Sequence, residues 1–302
     1  MRSNPPMAMM PAPRGGRCRP RAVPRRWARH LWDQAASTWL HRVGQDLVYR
    51  QHVVIPAVVD VLAPNDVPIH WIDLGCGDGR CARDLLESCS ASPSRVDALT
   101  LVDWCPPFLE AARRAVSDFV PNTECVVADL SEARWWRRVR DVLARNEGRR
   151  VAFGIFLIQD LARLGPLFEG LAVLLRRGEQ AVLVLVHPDY AEHLRLRGGI
   201  RVVERADALR TGEPVDWRWR GIYPIDVGGQ VVNVPHFQRT LAQVRSELEA
   251  RGFVVRAQRP LRVPDTPEMR EVFRDTVYGV DIVGRDSSLL IVAERCAEEG
   301  RS

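Results

Sequence analysis

The segment Trp71-Ile72-Asp73-Leu74-Gly75-Cys76-Gly77-Asp78-Gly79-Arg80 constrains this chain more than any other. The apolar run from Val67 to Leu74 has the length and composition of a buried strand. It ends in a loop with glycine at every second position, and Cys81 to Leu86 then takes up helical spacing. Strand, glycine-rich turn and helix form a cradle. Each absent side chain lets backbone approach a ligand, and the helix N-terminus offers unpaired N–H groups. Dinucleotide sites use Gly-x-Gly-x-x-Gly, whose third glycine serves helix–strand packing. The spacing here is Asp-x-Gly-x-Gly-x-Gly. A carboxylate just before the first glycine suits a ligand with a cationic amino group better than a pyrophosphate.

The rest of the chain alternates around that segment. From Trp27 to Leu62 apolar residues recur at three- and four-residue steps, predicting two helices broken near Gly44 and ended by Pro64. Strands are expected at Val96–Val102, Glu124–Val127, Val151–Leu157 and Gln180–His187. Helices are expected at Cys105–Val116, from Ser131 to about Asn146, and from Gln159 to Leu175 with a break at Gly165-Pro166. Strands alternating with helices imply a doubly wound α/β fold, a mostly parallel sheet covered on both faces. After His187 the pattern changes to period-two runs around Gly228-Gly229, which read as a hairpin or small sheet inserted after the fifth strand. A helix at Thr240–Ala250 and strands at Phe253–Ala257 and Ser288–Ala293 complete the reading.

Charge matters only by its placement. All 43 basic residues are arginines, and eight fall in the first 32 positions, where there is no acid. The remainder carries 35 arginines against 38 acidic groups, so the basic balance belongs to the N-terminal stretch. This disfavours nucleic acid as a partner of the globular part. Residues 1–26, rich in Pro, Arg, Met and Gly, read as a disordered tail, with a targeting peptide or a nucleic-acid arm as the alternatives. Cys18, Cys76, Cys81, Cys89, Cys105, Cys125 and Cys296 form no CxxC pair and no metal-type spacing with histidine. No metal site, no membrane span and a cytoplasmic location are the expectations, with the oligomeric state open between monomer and homodimer.

Several features together resemble the class I S-adenosylmethionine-dependent methyltransferases, over about residues 33–295. The glycine loop is similar to their motif I. Asp103 ends the second strand, Asp129-Leu130 follow the third, and Arg239-Thr240-Leu241 leads to Arg251-Gly252-Phe253 before the sixth. Arg176-Arg177-Gly178-Glu179 departs from the family's Pro-Gly-Gly turn, at no cofactor position. The resemblance implies a Rossmann-like, seven-stranded, mostly parallel sheet. N-terminal lid helices fall at 27–64 and a substrate-lid insertion at 188–238, within a methyltransferase domain of 27–302. It implies S-adenosylmethionine as cofactor, S-adenosylhomocysteine as product, and in-line methyl transfer to a small molecule at O, N or C. Many such members modify secondary metabolites or quinone-like rings. The cofactor residues carried over are Asp73, Gly75, Cys76, Gly77, Asp103, Trp104, Asp129, Leu130 and Phe156.

Other positions keep two readings. Arg50, beside Tyr49, either reaches the methionine carboxylate of the cofactor or is a solvated helix residue. His187 and His236 are candidate bases or substrate contacts, with a capped histidine ending a strand as the alternative for His187. Trp217-Arg218-Trp219-Arg220 places both tryptophans on one face and both arginines on the other. That face either stacks on an acceptor or packs a lid hairpin. Trp39, Tyr190, Trp217, Trp219 and Tyr223 form the expected substrate pocket. The rival functions are a methyltransferase on RNA or peptide that uses the basic tail, and a non-catalytic cofactor-binding partner protein.

Overall fold

The computed structural model describes residues 24–41, 48–62, 69–89, 96–145, 148–208, 215–227, 230–274 and 279–296. In chain order, helix α1 (Pro24–His41) is followed by a π-helical turn, Arg50–Val54, that continues into α2 (Ile55–Leu62). Strand β1 (Ile69–Leu74) passes through the glycine loop into α3 (Arg80–Cys89). Then come β2 (Val96–Asp103), α4 (Pro106–Val116), β3 (Thr123–Val127), α5 (Trp136–Leu143), β4 (Arg149–Ile155) and α6 (Gly165–Leu174). Strand β5 (Gln180–Val186) leads into α7 (Pro188–Leu196) and strands β6 (Arg201–Arg205), β7 (Trp219–Val227) and β8 (Gln230–Gln238). Helix α8 (Leu241–Glu249), β9 (Phe253–Arg262), α9 (Pro267–Val272) and β10 (Asp286–Arg295) close the chain.

Seven strands form one sheet in the order β3-β2-β1-β4-β5-β10-β9. The first five pair in parallel, and β10 runs antiparallel to both β5 and β9. Alternate side chains bury on opposite faces, as strand geometry requires. Trp71, Val151, Phe153 and Val182 enter one apolar core; Ile72, Ala152, Ala181 and Leu183 enter the other. Two buried faces explain why these strands read as continuous apolar runs. The chain reverses direction across the sheet between β1 and β4. At such a switch point loops diverge and leave a crevice outside the carboxyl ends of the strands.

The segment after β5 forms a second, three-stranded antiparallel sheet, β6-β7-β8. Helix α1 lies on it, packing Ala35, Trp32 and Trp39 with Val232 and Val234, while Ala36 meets Cys105 and Phe108 at α4. Arg239 fastens this insertion to the main sheet. Its buried guanidinium donates to the carbonyls of Ile158 (3.0 Å) and Leu161 (2.7 Å) and to Asp216 Oδ1 (2.8 Å). Asp216 Oδ2 in turn accepts from Leu164 N at 2.6 Å.

The elements differ from the sequence expectation at definite points. Helix α1 begins at Pro24, within the stretch expected to be tail, because proline is tolerated in a first helical turn. Residues 1–23, Gly44, Pro64 and the Gly228-Gly229 turn lie outside the described residues. Residues 188–196 are helical, not part of a hairpin: His187 caps and Pro188 starts the helix. Helix α5 starts only at Trp136, because Arg134 at φ 65° interrupts the turn before it. Strand β9 continues to Arg262 through Pro260, which an edge strand accommodates since one side of its ladder is unpaired. Among the described residues no helix is long and apolar enough to cross a membrane. None of them forms a group of three or more His, Cys, Asp or Glu placed to hold a metal.

Replacing Arg239 by Met removes the cation while Asp216 and two carbonyls stay in place. Breaking a buried pair from one side costs about 3–5 kcal/mol. Urea denaturation of Arg239→Met is expected to show a loss of that order, with the intact Asp216 as the aggravating partner.

Candidate active site

The glycine loop is shaped by close contacts on two sides and is open on a third. Gly75, Gly77 and Gly79 all have positive φ, at 65°, 52° and 76°. A Cβ at Gly75 would lie 2.8 Å from Leu157 Cδ1, and one at Gly79 would lie 2.5 Å from the Cα of Ala112 on α4. Both positions therefore exclude side chains. At Gly77 a Cβ would meet nothing within 4 Å, and this residue borders the cavity. The amides of Gly75 (2.7 Å) and Cys76 (3.1 Å) both donate to Val102 O, tying the loop to the end of β2.

The cavity, about 320 Å³, sits at the carboxyl ends of β1, β2, β4 and β5 beneath α1 and the inserted sheet. Asp103 is fixed on its floor, accepting from Gly77 N at 3.0 Å and Cys105 N at 2.9 Å. Burial pushes its pKa up to about 6 in spite of those N–H donors. Asp73 is buried to 3% exposure, and its Oδ2 has no hydrogen-bond partner. Burial first, then the charges of Asp103 and Asp78, hold its pKa well above the usual carboxylate range. Arg50, also in the lining, donates from Nε to Asp84 Oδ2 at 2.8 Å, while its buried Nη2 has no hydrogen-bond partner. Four cavity-lining residues thus carry a buried atom without a hydrogen-bond partner: Asp73 Oδ2, Arg50 Nη2, Gln159 Oε1 and Asp78 Oδ2, the last 3.4 Å from Arg80 Nε.

The remaining cofactor candidates surround this floor. Trp104 is half-buried, with the Arg29 guanidinium 5.0 Å over its ring, and Leu130 is buried. Asp129 Oδ1 accepts from Ser131 N (2.9 Å) and Ser131 Oγ (2.5 Å), so one of its oxygens serves as a turn former. Phe156 follows β4 at φ 57°, a conformation that costs a bulky residue about 1–3 kcal/mol. Its ring lies 6.2 Å from that of Tyr49, whose hydroxyl is held between Ser287 Oγ (2.7 Å) and Ser288 Oγ (2.6 Å). Cys76 is buried and its thiol is held well above the usual range by burial, so it contributes a neutral wall.

Above the floor the cavity is bordered by Trp39, Tyr190, Tyr223 and His236. Three other expectations fail there. His187 is outside the lining: its ring accepts from Asp189 N at 3.2 Å and caps α7. Trp217 is buried against Ala28, Ala162 and Phe237, and Trp219 against Ala191 and Ile200 with its Nε1 donating to Glu192 Oε1 at 2.6 Å. The face rule also breaks at Arg220, which is buried and paired with Glu204 at 2.9 Å while Arg218 is exposed. The cause is the second layer above the hairpin, where Trp27 packs on Arg220 at 4.8 Å. Asp160 was missed; it borders the cavity after β4, accepts from the Trp32 side chain, and is held well above its usual pKa by burial and by Asp103. The rule that ligands lie outside strand ends was the signal that pointed to it.

The electrostatics of Asp73 have a consequence for the ligand-free protein. A carboxyl whose folded pKa lies above its unfolded one destabilises the fold at every pH above the folded value, and the penalty vanishes as pH falls below about 3.9, its unfolded pKa. Asp73→Asn removes that charge. Its Tm at pH 8 is expected to exceed that of the parent by about 2–4 °C for each kcal/mol relieved, and the gap should narrow on acidification. An unchanged or lowered Tm at pH 8 would contradict the charge-strained state of Asp73.

No family model matches the sequence, and no curated protein does. Solved structures do match in shape. An S-adenosylmethionine-dependent methyltransferase from Mesorhizobium loti superposes with TM-score 0.50 at 19% identity, covering 79% of this chain and 96% of that one. A methyltransferase of the same dependence from Methanosarcina mazei gives 0.50 at 14% identity, with 80% and 98% covered. A protein from Pyrococcus horikoshii gives 0.52 at 14% identity, with 83% and 92% covered. Strand order, the antiparallel β10 and these superpositions agree: the chain has the fold of the class I S-adenosylmethionine-dependent methyltransferases.

Proposed function

We propose that this protein binds S-adenosylmethionine and catalyses transfer of its methyl group to a small-molecule acceptor. The observation that carries the reading is the pair of orphaned atoms, Asp73 Oδ2 and Arg50 Nη2, beside an open Gly77. A cationic amino group satisfies the first and a carboxylate the second, at charge-assisted hydrogen bonds of roughly 1.5–3 kcal/mol each. The same residues suit a pyrophosphate poorly, since a buried carboxylate faces the place where its charge would lie.

The remaining residues divide the work by position. Asp103, anchored by Gly77 N and Cys105 N, is placed to accept from ribose hydroxyls. Trp104 and Leu130 offer apolar surface for a flat base. Bound there, the cofactor supplies an electrophilic methyl group on sulfur, open to in-line displacement. Protein groups then need only to orient an acceptor and exclude water, from which most of such a rate arises. Helix α1 and the β6-β7-β8 sheet cover the cavity with aromatic and aliphatic side chains, which supports a small acceptor over a macromolecular one.

Calorimetric titration tests this directly. Micromolar binding of S-adenosylmethionine and S-adenosylhomocysteine is expected, with no heat from NADH. Binding of NADH alone would overturn the reading. In Asp103→Ala, affinity for both sulfur compounds should fall by about 10- to 150-fold, the equivalent of 1.5–3 kcal/mol.

A further inference from the structure

The acceptor side of the cavity contains one polar group whose protonation is dictated by its surroundings. His236 on β8 is 4% exposed, borders the cavity and stacks on Trp219 with ring centroids 5.3 Å apart. Its Nε2 lies 3.0 Å from Oε1 of Gln238. Gln238 cannot turn its amide over, because its Nε2 donates to two carbonyls, Pro188 O at 3.1 Å and Arg239 O at 3.3 Å. Oε1 is therefore an acceptor, His236 Nε2 carries the hydrogen, and the lone pair of the neutral ring resides on Nδ1. Burial, with the charge of Arg239 adding to it, lowers the histidine pKa to about 4, so the ring stays neutral throughout the physiological range.

The arginines around the cavity are committed elsewhere. Of its three lining arginines, Arg25 pairs with Glu132 at 3.6 Å, Arg29 covers Trp104, and Arg50 belongs to the orphaned pair. Asp160 is electrostatically tied to Asp103, on the cofactor side. The Tyr190 phenol is pushed up by burial and by its neighbours Tyr223 and Tyr49, so it too is neutral. An anionic acceptor finds no uncommitted cation among the described lining residues; a flat apolar one finds Trp39, Tyr190, Tyr223, Ile225 and Val234.

We propose that the acceptor is a ring that carries a hydroxyl group and no negative charge, and that this O–H donates to Nδ1 of His236, with Gln238 as the positioning residue that holds the lone pair there. The inference deepens the methyl-transfer reading and rests on it for the cofactor. Its test is a titration of the S-adenosylhomocysteine-saturated protein with 2-naphthol and with 2-naphthoate, rings of one shape that differ in charge. 2-Naphthol is expected to bind at least about ten-fold more tightly. His236→Ala should lose about ten-fold in 2-naphthol affinity, the worth of one hydrogen bond, while S-adenosylhomocysteine affinity is unchanged. His236→Asn, whose Oδ1 stands near the Nδ1 position, should recover part of that loss. A second measurement needs no acceptor: the histidine 15N spectrum of the intact protein should show His236 neutral, protonated at Nε2 and bare at Nδ1, between pH 6 and 8. Preference for 2-naphthoate, no loss in His236→Ala, or an Nδ1–H or imidazolium signal overturns the proposal. Failure of S-adenosylhomocysteine itself to bind removes the cofactor reading, and this inference with it.

Discussion

The junction of β1 with α3 sets the position of every group in the site. The loop leaves the sheet at Gly75, is tied by two amides to Val102 O, and passes α4 at Gly79 with no room for a side chain. That path brings Gly77 N within 3.0 Å of Asp103 Oδ2, a third hydrogen bond between the loop and the end of β2. Leu157, after β4, presses on the same loop from the other side. The strained backbone of Phe156 belongs to this compression, and such strain persists only where the packing around it over-determines the conformation.

The electrostatics follow from that geometry. Five carboxylates, Asp73, Asp78, Asp103, Asp129 and Asp160, border the cavity, and of three arginines only Arg50 is not exposed. Buried like charges raise one another's pKa, as Asp73 and Asp160 show. The ligand-free site is therefore an electrostatic liability that a ligand of positive charge relieves. The same arrangement repels the phosphates that a Gly-x-Gly-x-x-Gly loop would attract.

The core architecture was legible because β1, β2, β4 and β5 are buried on both faces and so appear as apolar runs between helices of ordinary length. The glycine spacing and the acid at position 73 already set the loop apart from the Gly-x-Gly-x-x-Gly pattern in the sequence. What escaped was set by packing between layers. The sequence left His187 open between a pocket and a cap, and no periodicity told that a helix would follow it or that Trp217 and Trp219 would bury in two separate clusters. Arg220 is held inside by Glu204 and Trp27, which are 16 and 193 residues away in sequence and can be matched only in three dimensions. The importance of Gln238 was equally invisible, since it depends on the carbonyl of Pro188, 50 residues away in sequence.

The most direct measurement is a crystal structure of the protein with S-adenosylhomocysteine. The ribose should lie on Asp103, the amino group on Asp73 Oδ2 and the carboxylate on Arg50 Nη2, with the backbone of Gly77 against the ligand. A ligand seated elsewhere, or one whose amino-acid end leaves both orphaned atoms unfilled, would contradict the assignment of this cavity.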